Sequence, residues 1–402
     1  MRRRTGVWLL GARGGLATTV IAGCKLVAEG GVPGHGLSTE SPQFEPLELV
    51  NLGDLVFGGH EIRGGTLLDS ARAISRDNGS IPFEGVEGIR DFLEQADAAI
   101  RPGNLLGGGV AIERLSNPEQ VAGGGALREQ VERIQHDLDQ FVRAEQIDRL
   151  VVVNLASTEP QLAIGPEHSS LAALDEAIDQ NRSDRVKASL IYSYAAIDLG
   201  HPYVNFTPSN AALVPAIEEL ARLRGVPFMG SDGKTGETLV KSALAPMFRH
   251  RSLRVLSWQG YNMLGDRDGE VLSQPENLAS KVVSKDGVLP AILGYPVHTH
   301  VGIDYVPSLK DLKTAWDFIH FEGFLGHRMS MQFTWQGCDS ILAAPLVLDM
   351  IRLTEFAARS GETGPMPQLA CFFKSPHGVK EHDLHRQWES LQEYVTANKP
   401  IS

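Results

Sequence analysis

Cysteine is scarce: Cys24, Cys338 and Cys371 are the three in 402 residues, too far apart for a disulfide framework and without metal-binding spacing. That scarcity points to a reducing cytoplasm, with small buried thiols as the plainest role. No run of roughly 18 or more uninterrupted apolar residues occurs, so no membrane span is predicted. Excess basic charge is missing too, and a net charge of −12 offers no overall footing for nucleic acid. No Gly-x-Ser-x-Gly elbow points to a hydrolase, and no pairing of histidines or acids points to a metal cage. The start, Met1-Arg2-Arg3-Arg4, looks like a signal-peptide start. Its apolar run is too short and ends in a glycine turn, so a buried first strand fits better.

What is present is ordinary for a globular chain, 42% hydrophobic and 21% charged, at a length that suits two domains. Thr5–Leu10 reads as a strand, Gly11–Gly15 as a turn and Leu16–Glu29 as a helix, which is how a dinucleotide-binding domain opens. Further strands are predicted at Leu47–Leu52, Leu150–Leu155, Ala188–Tyr192, Tyr203–Phe206 and Pro227–Gly230, alternating with helical segments such as 117–145 and Ala211–Leu223. LVVVNL at 150–155 is apolar except for Asn154, as expected of a strand buried on both faces of a parallel sheet. The glycine-rich stretch Gly58–Gly109 is read as a loop excursion over the nucleotide.

Beyond about residue 242 the pattern changes. Leu253–Trp258, His298–Tyr305 and His327–Thr334 alternate like half-exposed strands around one helix near Ser308–Phe321, and Ile341–Ala358 is strongly helical. The predicted fold is therefore α/β: a Rossmann-like doubly wound domain from residues 1–242 with 343–402, and an inserted α+β catalytic and oligomerisation domain over 243–342.

Three sets of residues can carry chemistry, while Gly260–Gly269 and Cys338-Asp339-Ser340 read by default as a glycine-punctuated turn after a strand and an N-cap or first-turn carboxylate. In Gly11-Ala12-Arg13-Gly14-Gly15 the glycines let the backbone approach a pyrophosphate at a helix N-terminus, although the usual three-glycine spacing is not met. Taken alone, this loop reads equally as a plain strand-helix turn. Gly230-Ser231-Asp232-Gly233-Lys234-Thr235-Gly236-Glu237-Thr238 offers N–H groups, hydroxyls and a cation. It lacks Walker spacing, so a sugar-phosphate cradle suits it better than a nucleoside triphosphate, with a capped helix start as the bland alternative. The lysines Lys281, Lys285, Lys313 and Lys374 could donate protons and stabilise an enolate oxygen if they converge, though each alone is ordinarily a solvated surface group.

Taken together, these segments resemble the myo-inositol-phosphate synthase family, collinearly from about Val7 to Pro376. The glycine loop sits where the family carries Gly-x-Gly-Gly-Asn-Asn-Gly, and Asp54–Ile62 is similar to Asp-Phe-Val-x-x-Gly-Trp-Asp-Ile. Asn205–Asn210 resembles Asn-Gly-Ser-Pro-Gln-Asn, and Gly230–Ser242 resembles Gly-Asp-Asp-x-Lys-Ser-Gly-Gln-Thr-Lys-x-Lys-Ser. Tyr261–Gly269 resembles Tyr-Asn-His-Leu-Gly-Asn-Asn-Asp-Gly, and Ser280–Lys285 matches Ser-Lys-x-x-Ser-Lys. Asp311-Leu312-Lys313 matches Asp-Ser-Lys, Cys338–Pro345 resembles Cys-Glu-Asp-Ser-Leu-Leu-Ala-x-Pro, and Phe373–Pro376 matches Leu-Lys-x-Pro.

The resemblance implies an NAD-dependent isomerase of cytoplasmic, homotetrameric type with no metal, acting on a hexose 6-phosphate. Glucose 6-phosphate would be oxidised at C5, enolised, closed by an intramolecular aldol step and re-reduced to inositol 1-phosphate (3-phosphate). Carried over to this numbering, Lys281, Lys285, Lys313, Lys374, Asp232 and Asp268 are catalytic. Gly11, Arg13, Gly14, Gly15, Asp54, Ala156, Ser157, Asp232, Asn262, Asp266 and Asp339 bind the cofactor. Thr235, Gly236, Glu237, Thr238 and Lys313 hold the substrate phosphate.

Departures from the pattern include Arg13, Asp266-Arg267, and Glu237 in place of glutamine. They leave room for a relative that cyclises fructose 6-phosphate to a cyclopentitol phosphate. An NAD-dependent sugar or polyol dehydrogenase and a non-catalytic NAD-binding sensor are the readings from other classes.

Overall fold

A computed structural model describes residues 3–265, 267–272 and 288–399, with the backbone alone for 267, 268 and 272. Lys281, Lys285 and Asp266, and the side chain of Asp268, lie outside the described residues.

The first sheet has seven parallel strands: β1 (Thr5–Leu10), β2 (Leu55–Glu61), β3 (Ile100–Pro102), β4 (Arg149–Asn154), β5 (Tyr203–Asn205), β6 (Pro227–Gly230) and, from the far end of the chain, β11 (Gly364–Pro365). Their order is β11-β6-β5-β4-β1-β2-β3. Strands β2 and β4 flank β1, so the order reverses beside β1 and opens a crevice at the C-terminal ends of these strands. Side chains alternate between the two faces. Val7, Leu9, Val151 and Val153 pack against the helices Gly15–Ala28, Leu67–Asn78 and Asp339–Arg359. Trp8, Leu10, Leu150 and Val152 pack under Leu127–Ala144 and Ala188–Asp198. Helices therefore cover both faces, and the doubly wound expectation is met.

The second sheet comes from β7 (Arg254–Leu264), β8 (His298–Tyr305), β9 (Leu312–Glu322) and β10 (Arg328–Cys338), in the order β10-β9-β7-β8. Only β7 and β8 run parallel; β9 pairs antiparallel with both β7 and β10. Its inner face, with Val255, Trp258, Ile319 and Phe321, packs on Ala245 and Phe248 of the helix Gly236–His250 and on the helix Val288–Leu293. The chain then re-enters the first sheet's layer through Asp339–Arg359.

Several predicted elements need correction. The segment Ala188–Tyr192 is the start of a helix, not a strand; it is buried on all sides, so its apolar run carries no period to read. Ser308–Phe321 is mostly β9, not a helix, with Ala315, Asp317, Ile319 and Phe321 buried at alternate positions. Lys313 therefore stands on a strand. The predicted strand Leu47–Leu52 instead spans the end of the 3-10 turn Pro42–Leu47, irregular chain at 48–51 and the start of the 3-10 turn Leu52–Asp54, and β2 begins at Leu55. Nor is Gly58–Gly109 a loop excursion, because it holds the end of β2, the helices Leu67–Asn78, Phe83–Gly88 and Arg90–Ala98, and β3.

Candidate active site

The C-terminal ends of β1, β2, β4, β5 and β6 open into a cleft of about 690 Å³, whose far wall comes from β7, the β8–β9 connection and the start of Asp339–Arg359. Its dinucleotide side begins at the turn after β1. Gly11 has a φ of +78°, and a Cβ there would lie 3.0 Å from the Ala156 Cα. A side chain would therefore push the turn off the β4 loop. Gly14 is equally constrained, since a Cβ there would meet the Gly11 carbonyl oxygen at 3.0 Å. The helix Gly15–Ala28 follows directly and presents its first-turn N–H groups and positive dipole end. These are the features that a pyrophosphate needs, so the residues fit a dinucleotide.

The predicted cofactor residues divide. Gly11, Gly14, Gly15, Ala156 and Ser157 line this part of the cleft. Arg13 lines it too, but its guanidinium is held by Asp97 at 2.8 Å and Gln120 at 3.0 Å. Asp54 requires a correction: it ends a short 3-10 turn before β2, whereas the cleft lies at the opposite, C-terminal end of that strand. The acid at the correct end is Glu61, 2% exposed, whose Oε2 accepts the Arg13 N–H at 2.8 Å and whose Oε1 accepts the Ile62 N–H at 2.8 Å. Sequence reasoning passed over it, although His60-Glu61-Ile62 lies opposite Trp-Asp-Ile in the matched segment. An acid closing the second strand was the available signal.

The other half of the cleft is built on the loop between β6 and the helix Gly236–His250. Asp232, in the left-handed region at φ +62°, accepts a hydrogen bond from Lys374 Nζ at 2.7 Å, and both residues are buried. Backbone bonds tie the two segments: Lys374 N–H to the Asp232 carbonyl at 2.7 Å, and Ser231 N–H to the Ser375 carbonyl at 2.8 Å. Lys313, the second residue of β9, places Nζ 3.3 Å from Asp339 Oδ2, and Thr235 Oγ1 lies 3.5 Å from Asp339 Oδ1. Gly236, at φ +56°, lets Lys313 come close, since a Cβ there would be 3.0 Å from Lys313 Nζ.

The structure thus brings Asp232, Thr235, Glu237, Thr238, Asn262, Lys313, Asp339 and Lys374 to one cleft wall. Among the described residues, Lys374 pairs with Asp232 and Lys313 with Asp339 there, and Lys241, which does not itself line the cleft, pairs with Glu237. The positive ends of two helices, beginning at Gly236 and Asp339, add to the field. An anion bound at their meeting point gains from both.

Lys234, in the same loop, turns away. It is 2% exposed and donates to Gln387 in the C-terminal helix Leu384–Ala397, and burial pulls its ammonium down to about 8. Asp311 belongs to the matched Asp-Ser-Lys segment, which assigns it no role. It lines the cleft, accepts hydrogen bonds from Cys338 Sγ at 2.7 Å, Ser340 Oγ at 3.1 Å and Asn78 Nδ2 at 3.1 Å, and is raised by burial. Burial and that carboxylate push the Cys338 thiol up to about 11.

The family model for myo-inositol-1-phosphate synthase, an NAD-binding family, matches residues 5–396. The inositol-3-phosphate synthase 1 of Bacteroides thetaiotaomicron is 35% identical over 97% of this chain and 94% of its own length. Isozyme 1 of the Arabidopsis thaliana enzyme is 30% identical over 87% of this chain and 67% of its own. A crystal structure of the Caenorhabditis elegans inositol-3-phosphate synthase superposes with a TM-score of 0.89 at 26% identity, covering 100% of this chain and 87% of that one. With a dinucleotide turn at one end of the cleft and paired lysines at the other, the chain belongs to the myo-inositol-1-phosphate synthase family and is an NAD-dependent isomerase of that type.

Proposed function

We propose that this chain converts glucose 6-phosphate into inositol 1-phosphate (3-phosphate), with NAD regenerated in each turnover. The observation that carries this reading is Lys313 reaching the N-terminus of the helix Gly236–His250, beside the buried Lys374–Asp232 pair. A cation above a helix N-terminus suits a phosphate dianion, and a second ammonium nearby suits the oxyanions of an enolisation and aldol closure. When bound, NAD supplies a reversible oxidation at C5, so no net oxidant is consumed. Gly11, Gly14, Gly15, Ala156 and Ser157 would hold it, with Glu61 fixing the turn. Thr235, Gly236 and Thr238 would bind the phosphate along with Lys313. Lys374 and Lys313 would exchange protons between their Nζ atoms and the sugar oxygens, with Asp232 and Asp339 holding them in place. Lys281, Lys285, Asp266 and Asp268 join this set on sequence alone.

The same proposal keeps the division into residues 1–242 with 343–402 and 243–342, a cytoplasmic setting and a homotetramer. The outer face of the second sheet supports self-association. Tyr261, Trp316 and Phe318 form a row there, with ring centroids 5.7 and 6.3 Å apart, and Tyr261 is 39% exposed. Light scattering should give about four times the 43.6 kDa chain mass.

The test of the reaction is incubation with glucose 6-phosphate and sub-stoichiometric NAD, followed by NMR of the product, with fructose 6-phosphate in parallel. An inositol phosphate formed without NADH accumulation is the expected result. Absence of any carbocycle from glucose 6-phosphate would refute the reading.

A further inference from the structure

A carboxylate at position 237, beside a phosphate, would repel it. The structure shows where that charge goes. One oxygen of Glu237 pairs with Lys241, one turn further along the same helix, and Oε2 accepts a hydrogen bond from Asn262 Nδ2 at 2.7 Å. None of the three side chains is more than 2% exposed. Gly260 on β7 makes the space, because a Cβ there would sit 2.3 Å from Glu237 Oε1.

The arrangement decides which way the Asn262 amide faces. Both neighbours of Nδ2 are acceptors, Glu237 Oε2 and the Gly302 carbonyl at 3.3 Å, so the nitrogen must point at them. The amide oxygen, Oδ1, is left enclosed and has no hydrogen-bond partner among the described residues. The Thr238 hydroxyl, on the turn that carries Glu237, is in the same condition, and both residues line the cleft. An enclosed acceptor is costly until a donor reaches it. A molecule bound in the cleft can bring one.

We propose that Glu237 is a positioning residue and not a phosphate ligand. It holds Asn262 with the amide nitrogen inward, so that Oδ1 receives a neutral O–H or N–H donor from the bound ligand. A sugar hydroxyl and a nicotinamide carboxamide share this donor chemistry. Lys241 balances the glutamate charge, and the adjacent phosphate meets no net negative group from it. The inference rests on the proposed substrate only for its sugar arm.

Three variants test it. Asn262→Asp replaces the donor nitrogen with an oxygen facing the Glu237 carboxylate. Glu237→Gln keeps an acceptor for Lys241 but turns a second donor toward Asn262. The double variant restores a matched pair, with the new amide at position 237 donating to the new carboxylate at position 262. Dissociation constants for NAD and for glucose 6-phosphate are measured by calorimetry at pH 8, with kcat/KM for cyclisation and melting temperatures alongside. Asn262→Asp should weaken one of the two ligands about 30-fold and Glu237→Gln should weaken the same one at least about fivefold. The double variant should return to within about threefold of the natural chain. The ligand that moves identifies the donor. The proposal is overturned if either single variant binds both ligands as tightly as the natural chain. It is equally overturned if the double variant stays as weak as Asn262→Asp. Should the natural chain form no carbocycle while NAD affinity falls and recovers as described, the cyclisation reading fails and this one stands.

Discussion

Replacing Gly236 by alanine should separate activity from stability. The residue holds φ at +56°, where a Cβ costs about 1 kcal/mol of backbone strain. The same Cβ would stand 3.0 Å from Lys313 Nζ and 3.5 Å from its Cε. Both are the far end of a flexible side chain, so the lysine yields by a few tenths of an ångström and the fold survives. The displacement is small for packing but large for chemistry. The ammonium is displaced over the helix N-terminus, and a methyl group takes up space at the proposed phosphate site. Misplacement on this scale costs about 10- to 100-fold in kcat/KM, whereas the strain lowers the melting temperature by only about 1–2 °C. Gly200→Ala is the control: its φ is +82° and nothing lies within 4 Å of the added Cβ. It should show the same loss of stability at full activity. Product formation followed by NMR and a thermal melt on both variants decide the matter. The reasoning is refuted if Gly236→Ala keeps kcat/KM within about twofold, or if Gly200→Ala loses as much activity.

Asp339→Asn removes the charge 3.3 Å from Lys313 Nζ in a partly exposed pair, so stability should change by less than about 1 kcal/mol while kcat/KM falls at least about tenfold. Equal loss in both would assign Asp339 a structural role. Lys374→Met takes the ammonium away from a buried carboxylate 2.7 Å distant and should cost about 3–5 kcal/mol in urea unfolding, with more than half regained on adding Asp232→Asn. No recovery in the double variant would show that the pair is not what the lysine stabilises. For Lys234 the sign follows from its depressed value, about 8 against 10.5. Between these the unfolded chain binds more protons, so this group makes stability rise with pH, by up to about 1.4 kcal/mol per unit. Lys234→Met should remove that slope between pH 8 and 9, below the range in which Cys371, pushed up to about 12 from 9.0, contributes the opposite one. Unfolding free energies that run parallel in the two proteins over that window would contradict the burial argument.

Much of the fold was legible because short-range physics sets it. The strands Thr5–Leu10 and Pro227–Gly230 have the boundaries their apolar runs indicate, and His298–Tyr305 those its alternation indicates. The apolar run at 150–155, broken only by Asn154, implies a strand buried on both faces. Where the local signal was ambiguous, the reading failed. Ala188–Tyr192 is apolar on every side, so neither a helical nor a strand period shows. At 308–321 the expected helix is β9, whose alternation shows in the burial of Ala315, Asp317, Ile319 and Phe321.

The site divides in the same way. The glycine turn and Asp232–Thr238 stand out because their residues lie close together in sequence, although each also reads as a plain turn or a capped helix start until the fold is known. Lys313, Asp339 and Lys374 were named from the motifs that contain them, but the pairs they form join residues far apart in the chain. Which end of a strand faces the cleft is set by sheet order, and that moved the acid of β2 from Asp54 to Glu61. Partner choice is likewise decided by what lies across a gap of a few ångström. Lys234 goes to Gln387, Arg13 to Asp97, and Glu237 to Lys241 and Asn262 instead of to a phosphate. The sequence alone determined which chemical groups this chain possesses and in which local settings. Only the tertiary structure decided which of them meet, because a buried charge takes the partner that the packing brings within reach.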